Sequence, residues 1–188
     1  KLMHTEVMGV DKPLWKPSQA RIVGANVTAF ARAAISEWGL AFNTYPEFYR
    51  WSVDQPEQFW QSLWRYAAVK AETRGERTLV HGEQMPGAHW FPDARLNFAE
   101  NLLRRRDAGV AIIFRDEREL SRRLSWRELH DQVAALAASL RAMGIVAGDR
   151  VAGFLPNIPE SVIAMLAAAS IGAVWSSCSP DFGAKGVL

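Results

Sequence analysis

From Val110 onward, short apolar runs alternate with segments of helical periodicity, and this alternation constrains the fold more than any other feature of the chain. Val110–Phe114 is a continuous apolar run, the pattern of a strand buried on both faces. Asp116-Glu117 marks a turn, and Leu120–Leu124 returns as a second strand. Ser125, with Glu128 three residues later, forms a capping box and opens a strong helix. Its apolar positions, Trp126, Leu129, Val133, Leu136, Leu140 and Met143, recur at steps of three and four. Gly144 stands where a C-terminal glycine cap belongs.

Gly148-Asp149 turns into a strand over Arg150–Leu155, and Pro156-Asn157-Ile158-Pro159 leads into a helix over Glu160–Ile171. Pro159 sits in that helix's first turn and Gly172 stops it. The helix is apolar all round, so it is expected to be sandwiched. Ala173–Cys178 reads as another buried strand, Pro180-Asp181 as a turn, and a last helix starts near Gly183. Strand–helix–strand with short connections implies a right-handed crossover. The expected fold class is therefore α/β, with a mostly parallel sheet begun by Val110–Phe114, Arg150–Leu155 and Ala173–Cys178. Leu188 falls within one turn of the last helix's start, and one turn rarely holds alone, so the chain reads as truncated.

Residues 1–105 have a different character and are expected to form a helical N-terminal cap, with residues 106–188 starting the α/β domain. Asn26 is a plausible N-cap for a helix through Val27, Phe30, Ala34 and Trp38, with Gly39 as its stop. A second helix starts at Asp54-Gln55-Pro56 and carries Phe59, Trp60, Leu63, Trp64 and Ala67. A third is expected over Leu96–Arg105. Half of the 20 aromatic residues fall between Trp38 and Tyr66, a density that suits packing anchors better than a ligand platform.

Composition removes several classes. With 49% hydrophobic and 22% charged residues the chain is neither disordered nor low-complexity. A formal net charge of +2 gives no nucleic-acid reading. The single cysteine, Cys178, and an N-terminus without an apolar signal core favour a reducing, cytoplasmic setting. The longest apolar stretch, Val162–Trp175, is broken by Ser170 and Gly172 and falls short of the roughly 20 residues a bilayer requires.

Little chemistry is visible in the residues themselves. G-x-G-x-x-G, G-x-x-x-x-G-K-[ST] and G-x-S-x-G are all missing, which disfavours an NAD-binding domain and the common hydrolase pattern. His4, His81, His89 and His130 show no metal-ligand spacing, so no metal ligand is assigned. His130, beside Asp131, reads as a polar-face residue, and Cys178 as an inert small hydrophobe. Arg104-Arg105-Arg106, Arg115, Arg118, Arg122, Arg123 and Arg127 are interrupted by Asp107, Asp116, Glu117 and Glu119, the pattern of a solvated face.

Leu124-Ser125-Trp126-Arg127-Glu128-Leu129 resembles the first core motif of the acyl-adenylate-forming enzymes, with Trp126 where Tyr is common. Gly148-Asp149-Arg150-Val151, Pro156-Asn157-Ile158-Pro159-Glu160 and Ala168–Val174 resemble that family's next landmarks, in the same order. Residues 90–103, Trp-Phe-Pro-Asp-Ala-Arg-Leu-Asn-Phe-Ala-Glu-Asn-Leu-Leu, are similar to the segment joining cap and core in acetyl-CoA-synthetase-like ligases. Trp175–Gly183 is closer to the acetoacetate-using branch than to the acetate-using one.

The resemblance implies a two-step ligase in which acetoacetate, ATP and CoA react through an acyl-adenylate, with Mg²⁺ and cations on the phosphates. The family's phosphate loop, ribose-binding Asp and mobile Lys have no match here and are expected beyond Leu188, so no catalytic residue is assigned and the piece alone is expected to be inactive. One cofactor-binding position carries over: the loop that touches the nucleotide part of CoA corresponds to Ser179, Pro180 and Asp181. A plain strand-to-helix turn built on Pro and Asp accounts for the same three residues. Two other readings stay open: a non-catalytic module that binds a protein partner, and a ligase of the same family using another short acid such as acetate.

Overall fold

A computed structural model describes residues 14–118 and 121–187. His4, Glu119, Leu188 and the expected strand start at Leu120 lie outside them. Cα packing divides the chain into two compact units, Lys1–Ala68 and Val69–Leu188.

The first unit is helical: α1 Gln19–Val23, α2 Asn26–Trp38, α3 Tyr45–Asp54 and α4 Pro56–Tyr66. Phe30, Ala34, Phe48 and Trp51 form its buried core, with Phe42, Phe59 and Leu63 packed around them. Phe30 meets Phe48 and Phe59 edge-on at 5.8 and 5.6 Å, the geometry aromatic quadrupoles favour. Part of the aromatic segment thus builds a packing core, while Tyr45, Tyr49, Trp60 and Tyr66 stay exposed. Polar tips are satisfied: Trp38 Nε1 donates to the Ser62 hydroxyl at 2.7 Å, and that hydroxyl donates to Glu37 at 3.0 Å.

Two helix starts differ from the sequence reading. Ala25, not Asn26, holds the extended N-cap position, and Asn26 is the first helical residue. The helix α3 was not anticipated; Thr44 and Glu47 form a full capping box around Pro46 and start it.

The second unit begins with a small antiparallel pair, β1 Leu79–Val80 and β2 His89–Trp90, and a five-residue helix, α5 Phe98–Leu102. Then follow β3 Val110–Arg115, β4 Ser121–Ser125, α6 Trp126–Ala142, β5 Arg150–Phe154, α7 Pro159–Ser170 and β6 Val174–Cys178. A 3₁₀ turn, Pro180–Phe182, and α8 Gly183–Val187 complete it. The core joins Ala99 and Leu103 from the α5 region to Leu124, to Leu129, Val133, Ala137 and Leu140 of α6, and to Ile163, Leu166, Ala167 and Ala168 of α7.

The capping box at Ser125 is present as expected: the Glu128 N–H donates to Ser125 Oγ at 3.2 Å, and the Ser125 N–H donates to Glu128 Oε2 at 2.7 Å. The helix α7 packs against α5, α6, β5 and β6, which explains its all-round apolar surface. Gly153 of β5 has the Trp175 ring against it. A Cβ built there would lie 2.5 Å from that ring, so any side chain would displace it.

Sheet pairing bears out one expectation and corrects two. The crossover strands β5 and β6 are parallel, Arg150 opposite Val174 through Phe154 opposite Cys178. β3 does not join them; it pairs antiparallel with β4, Ile113 opposite Arg123. Nor is β3 buried on both faces, since Val110 is 47% and Ile113 57% exposed. A hairpin ladder leaves one face to solvent, which a continuous apolar run does not reveal. The third expected helix is also shorter, because Asn97 caps it and Leu103 ends it, leaving Arg104–Arg106 outside. Residues 69–105, grouped with the cap by composition, pack in the second unit.

Candidate functional site

β5 and β6 carry the chain in the same direction, so the segments after Phe154 and after Cys178 emerge at one end. In open α/β sheets that carboxyl end is where ligands bind. The Leu155 N–H reaches the Cys178 carbonyl at 3.3 Å and holds the two exits together.

Ser179, Pro180 and Asp181 form the turn that follows β6. Ser179 has extended backbone and accepts the Asp181 N–H at 3.3 Å, while its hydroxyl donates to Asp181 Oδ2 at 2.8 Å. Pro180 and Asp181 are exposed and Ser179 is half-buried. Phe182, 65% exposed, and Gly183, with φ of 62°, end the turn. The two polar side chains therefore hold each other, and the exposed surface offered to a ligand is Pro180, the outer Asp181 oxygen and the Phe182 ring. At the same end Glu160, in the first turn of α7, pairs with Arg122 at 2.7 Å, and that guanidinium holds its carboxyl below the usual range.

The basic stretch separates into different environments. Arg105 is bidentate to Asp107 at 2.8 and 2.9 Å and lies 5.2 Å over the Trp126 ring. That guanidinium and the Gly109 N–H lower the Asp107 carboxyl from 3.8 to about 2. Arg115 and Arg123 stay exposed on the hairpin. His130 is only 23% exposed and lies 3.4 Å from Asp131, lining a groove rather than an open polar face. Cys178 is a half-buried free thiol. Among the described residues no three His, Cys, Asp or Glu side chains gather to hold a metal, and no helix is long and apolar enough to cross a membrane.

Asn97 and Asn101 were not singled out from the sequence. Asn97 caps α5 and donates to the Ala169 carbonyl at 2.9 Å, while Asn101 bonds both backbone groups of Lys70. Two asparagines four apart at a helix start were the available signal.

Two family models match the chain: "Acetyl-coenzyme A synthetase N-terminus" over residues 45–102 and "AMP-binding enzyme" over residues 98–188. The chain belongs to the AMP-binding, acyl-adenylate-forming enzymes, in their acetyl-CoA-synthetase-like branch.

Within that branch it is similar to acetoacetyl-CoA synthetases. It is 48% identical to that of Rhizobium meliloti (strain 1021), across 96% of this chain and 28% of the relative. It is 39% identical to that of Rattus norvegicus, across 100% and 28%. The solved acetoacetyl-CoA synthetase from Streptomyces lividans superposes with a TM-score of 0.88 at 46% identity, covering 94% of this chain and 28% of that one. A malonamoyl-CoA synthetase of Penicillium aethiopicum is 33% identical across 97% of this chain and 26% of its own. The chain spans about 28% of the length of the relatives it matches first.

Proposed function

We propose that this chain is part of an ATP-dependent acid–CoA ligase that makes acetoacetyl-CoA. The observation that carries the reading is 48% identity to an acetoacetyl-CoA synthetase along nearly the whole chain. In such a ligase an acetoacetate oxygen attacks the α-phosphorus of ATP and pyrophosphate leaves. The CoA sulfur then attacks the acyl carbon, loses its proton, and AMP departs. Mg²⁺ would screen the phosphates, and the described residues gather no ligand set for it.

Residues 1–105 serve in this reading as the cap and residues 106–188 as the start of the adenylation domain, in a cytoplasmic enzyme. The junction of the two family models at residues 98–102 supports that division, which lies beyond the packing boundary at Ala68. Ser179, Pro180 and Asp181 contact the nucleotide part of CoA, supported by their place at the carboxyl end of the parallel pair. The Ser179–Asp181 bond shapes this turn, so Ser179→Ala should raise KM for CoA severalfold and leave KM for ATP unchanged.

The test is acetoacetate-dependent exchange between ATP and pyrophosphate by the intact protein, run beside acetate. Exchange faster with acetoacetate supports the reading. Equal or faster exchange with acetate, or none with either, overturns it. The similarity to a malonamoyl-CoA synthetase makes a related short acid the second reading, and malonamate belongs in the same series.

A further inference from the structure

A groove of about 430 Å³ runs between α6 and the segment from Asn97 to Arg106. On α6 it is lined by His130, Val133, Ala134, Ala137 and Arg141, a single stripe at helical spacing. The eleven steps of rise from His130 to Arg141 make that wall about 16 Å long. Its floor is apolar: Leu103, Val133 and Ala137 are each under 10% exposed. Its rim is cationic. Lys70, Arg104, Arg106 and Arg141 face a single carboxylate, Glu100, so the groove carries three net positive charges before His130 is counted.

The rim is positioned. Asn101 bonds the N–H and the carbonyl of Lys70 at 2.8 and 2.9 Å, and its own carbonyl accepts from Arg104 Nε at 2.9 Å. The Asn97 amide covers the carbonyl end of α7 at Ala169, so an acceptor that would repel an anion is already satisfied. Arg106 and Arg141 make no ion pair among the described residues, unlike Arg105 and Arg122 nearby. The groove meets α7 at Ser170, before β6 begins, and the turn at Ser179 follows that strand. A five-residue strand separates them by about 17 Å.

We propose that this groove is a second ligand site, apart from the turn at residues 179–181, that binds a small organic phosphate monoester. The phosphate engages Arg106 and Arg141, whose planar donors suit a phosphate. A compact apolar group rests on Val133, Ala134 and Ala137. A groove of about 430 Å³ lies within the range of ordinary small-molecule sites.

The experiment is equilibrium dialysis of phenyl phosphate, and separately of inorganic phosphate, against the intact protein that carries these residues. Phenyl phosphate is expected to bind saturably and at least tenfold tighter than inorganic phosphate. Arg106→Glu with Arg141→Glu should weaken it tenfold or more, and the milder Arg106→Gln with Arg141→Gln severalfold. Ala134→Trp, on an exposed floor position, should weaken phenyl phosphate and leave inorganic phosphate unchanged. Arg115→Glu with Arg123→Glu changes net charge equally on the hairpin and should stay within twofold. Non-saturable binding, equal loss in the hairpin control, or indifference to Ala134→Trp would each overturn the proposal.

Discussion

Asn101 clasps Lys70 by both backbone groups, accepting its N–H at 2.8 Å and donating to its carbonyl at 2.9 Å. The same amide nitrogen donates to the Asn97 carbonyl at 3.0 Å. One side chain thereby ties residue 70, thirty-one positions away, to the short helix α5, whose five residues could not hold it by propensity alone.

Asn101→Ala should therefore destabilise the intact protein. Each such bond contributes about 0.5–1.5 kcal/mol net of solvent, and two of the three are exposed, so the loss should fall toward the low end of about 1.5–4.5 kcal/mol. Urea unfolding should show a lower midpoint with an unchanged slope, and phenyl phosphate should bind more weakly because Lys70 loses its anchor, while Arg104 keeps its bond to the main-chain carbonyl of residue 101. An unchanged midpoint would mean that water substitutes fully for the amide.

Ser125→Ala separates a structural role from a catalytic one. Ser125 caps α6, and its hydroxyl also donates to Glu128 at 2.7 Å. Losing the cap should cost about 0.5–2 kcal/mol. Turnover and KM of the intact enzyme should be nearly unchanged. A drop in turnover beyond tenfold at an unaltered melting temperature would assign the hydroxyl a direct functional role.

How much of this was legible in the sequence depends on how local the cause is. The helix α6 was legible because cap, periodicity and terminal glycine agree within twenty residues. The helix α3 carries an equally complete capping box at Thr44 and Glu47, but its aromatic residues read as one undivided cluster with those of α4. The partner of β3 was not legible, because Val110–Phe114 looks the same whether its neighbour is parallel or antiparallel. The turn at Ser179–Asp181 was visible as a turn, while its link to CoA came from family resemblance alone. The groove was invisible: Lys70, Arg106 and Arg141 are far apart in the chain and meet only through tertiary packing. In the sequence the Arg104–Arg106 run is a charge block; in the fold Arg105 is paired while its two neighbours face the groove.

Acid should weaken the protein partly through Asp107. Its carboxyl is lowered to about 2 by the Arg105 guanidinium and then by the Gly109 N–H. The folded value lies below the ordinary one of 3.8, so the unfolded chain binds more protons between them and stability rises with pH across that window. The contribution is complete above about pH 4 and disappears as pH falls through about 2. Asp107→Asn removes the titrating group. Melting temperatures taken from pH 5 to pH 2 should show wild type above the variant at pH 5, with the gap closing on acidification. A gap of constant width would show that the Arg105–Asp107 pair does not couple protonation to folding.

The isolated 188-residue chain should self-associate. Among the described residues β5 and β6 pair only with each other, so each presents an open backbone edge. Phe154 is 53% and Val174 54% exposed on that pair, and Ile113 is 57% exposed on the hairpin. An unpaired edge templates pairing with another chain, and apolar side chains beside it add burial as a reward for contact. Opposing this, the Arg-rich hairpin face repels its copies at low salt, so association should strengthen as salt screens the charge. Light scattering across a concentration series, at low and at moderate salt, should show oligomers that grow with both variables. Phe154→Lys, which places a charge on the exposed face of β5, should reduce the growth. A monomeric peak at every concentration, with a single cooperative melt, would show that these residues form a self-sufficient unit whose edges are protected.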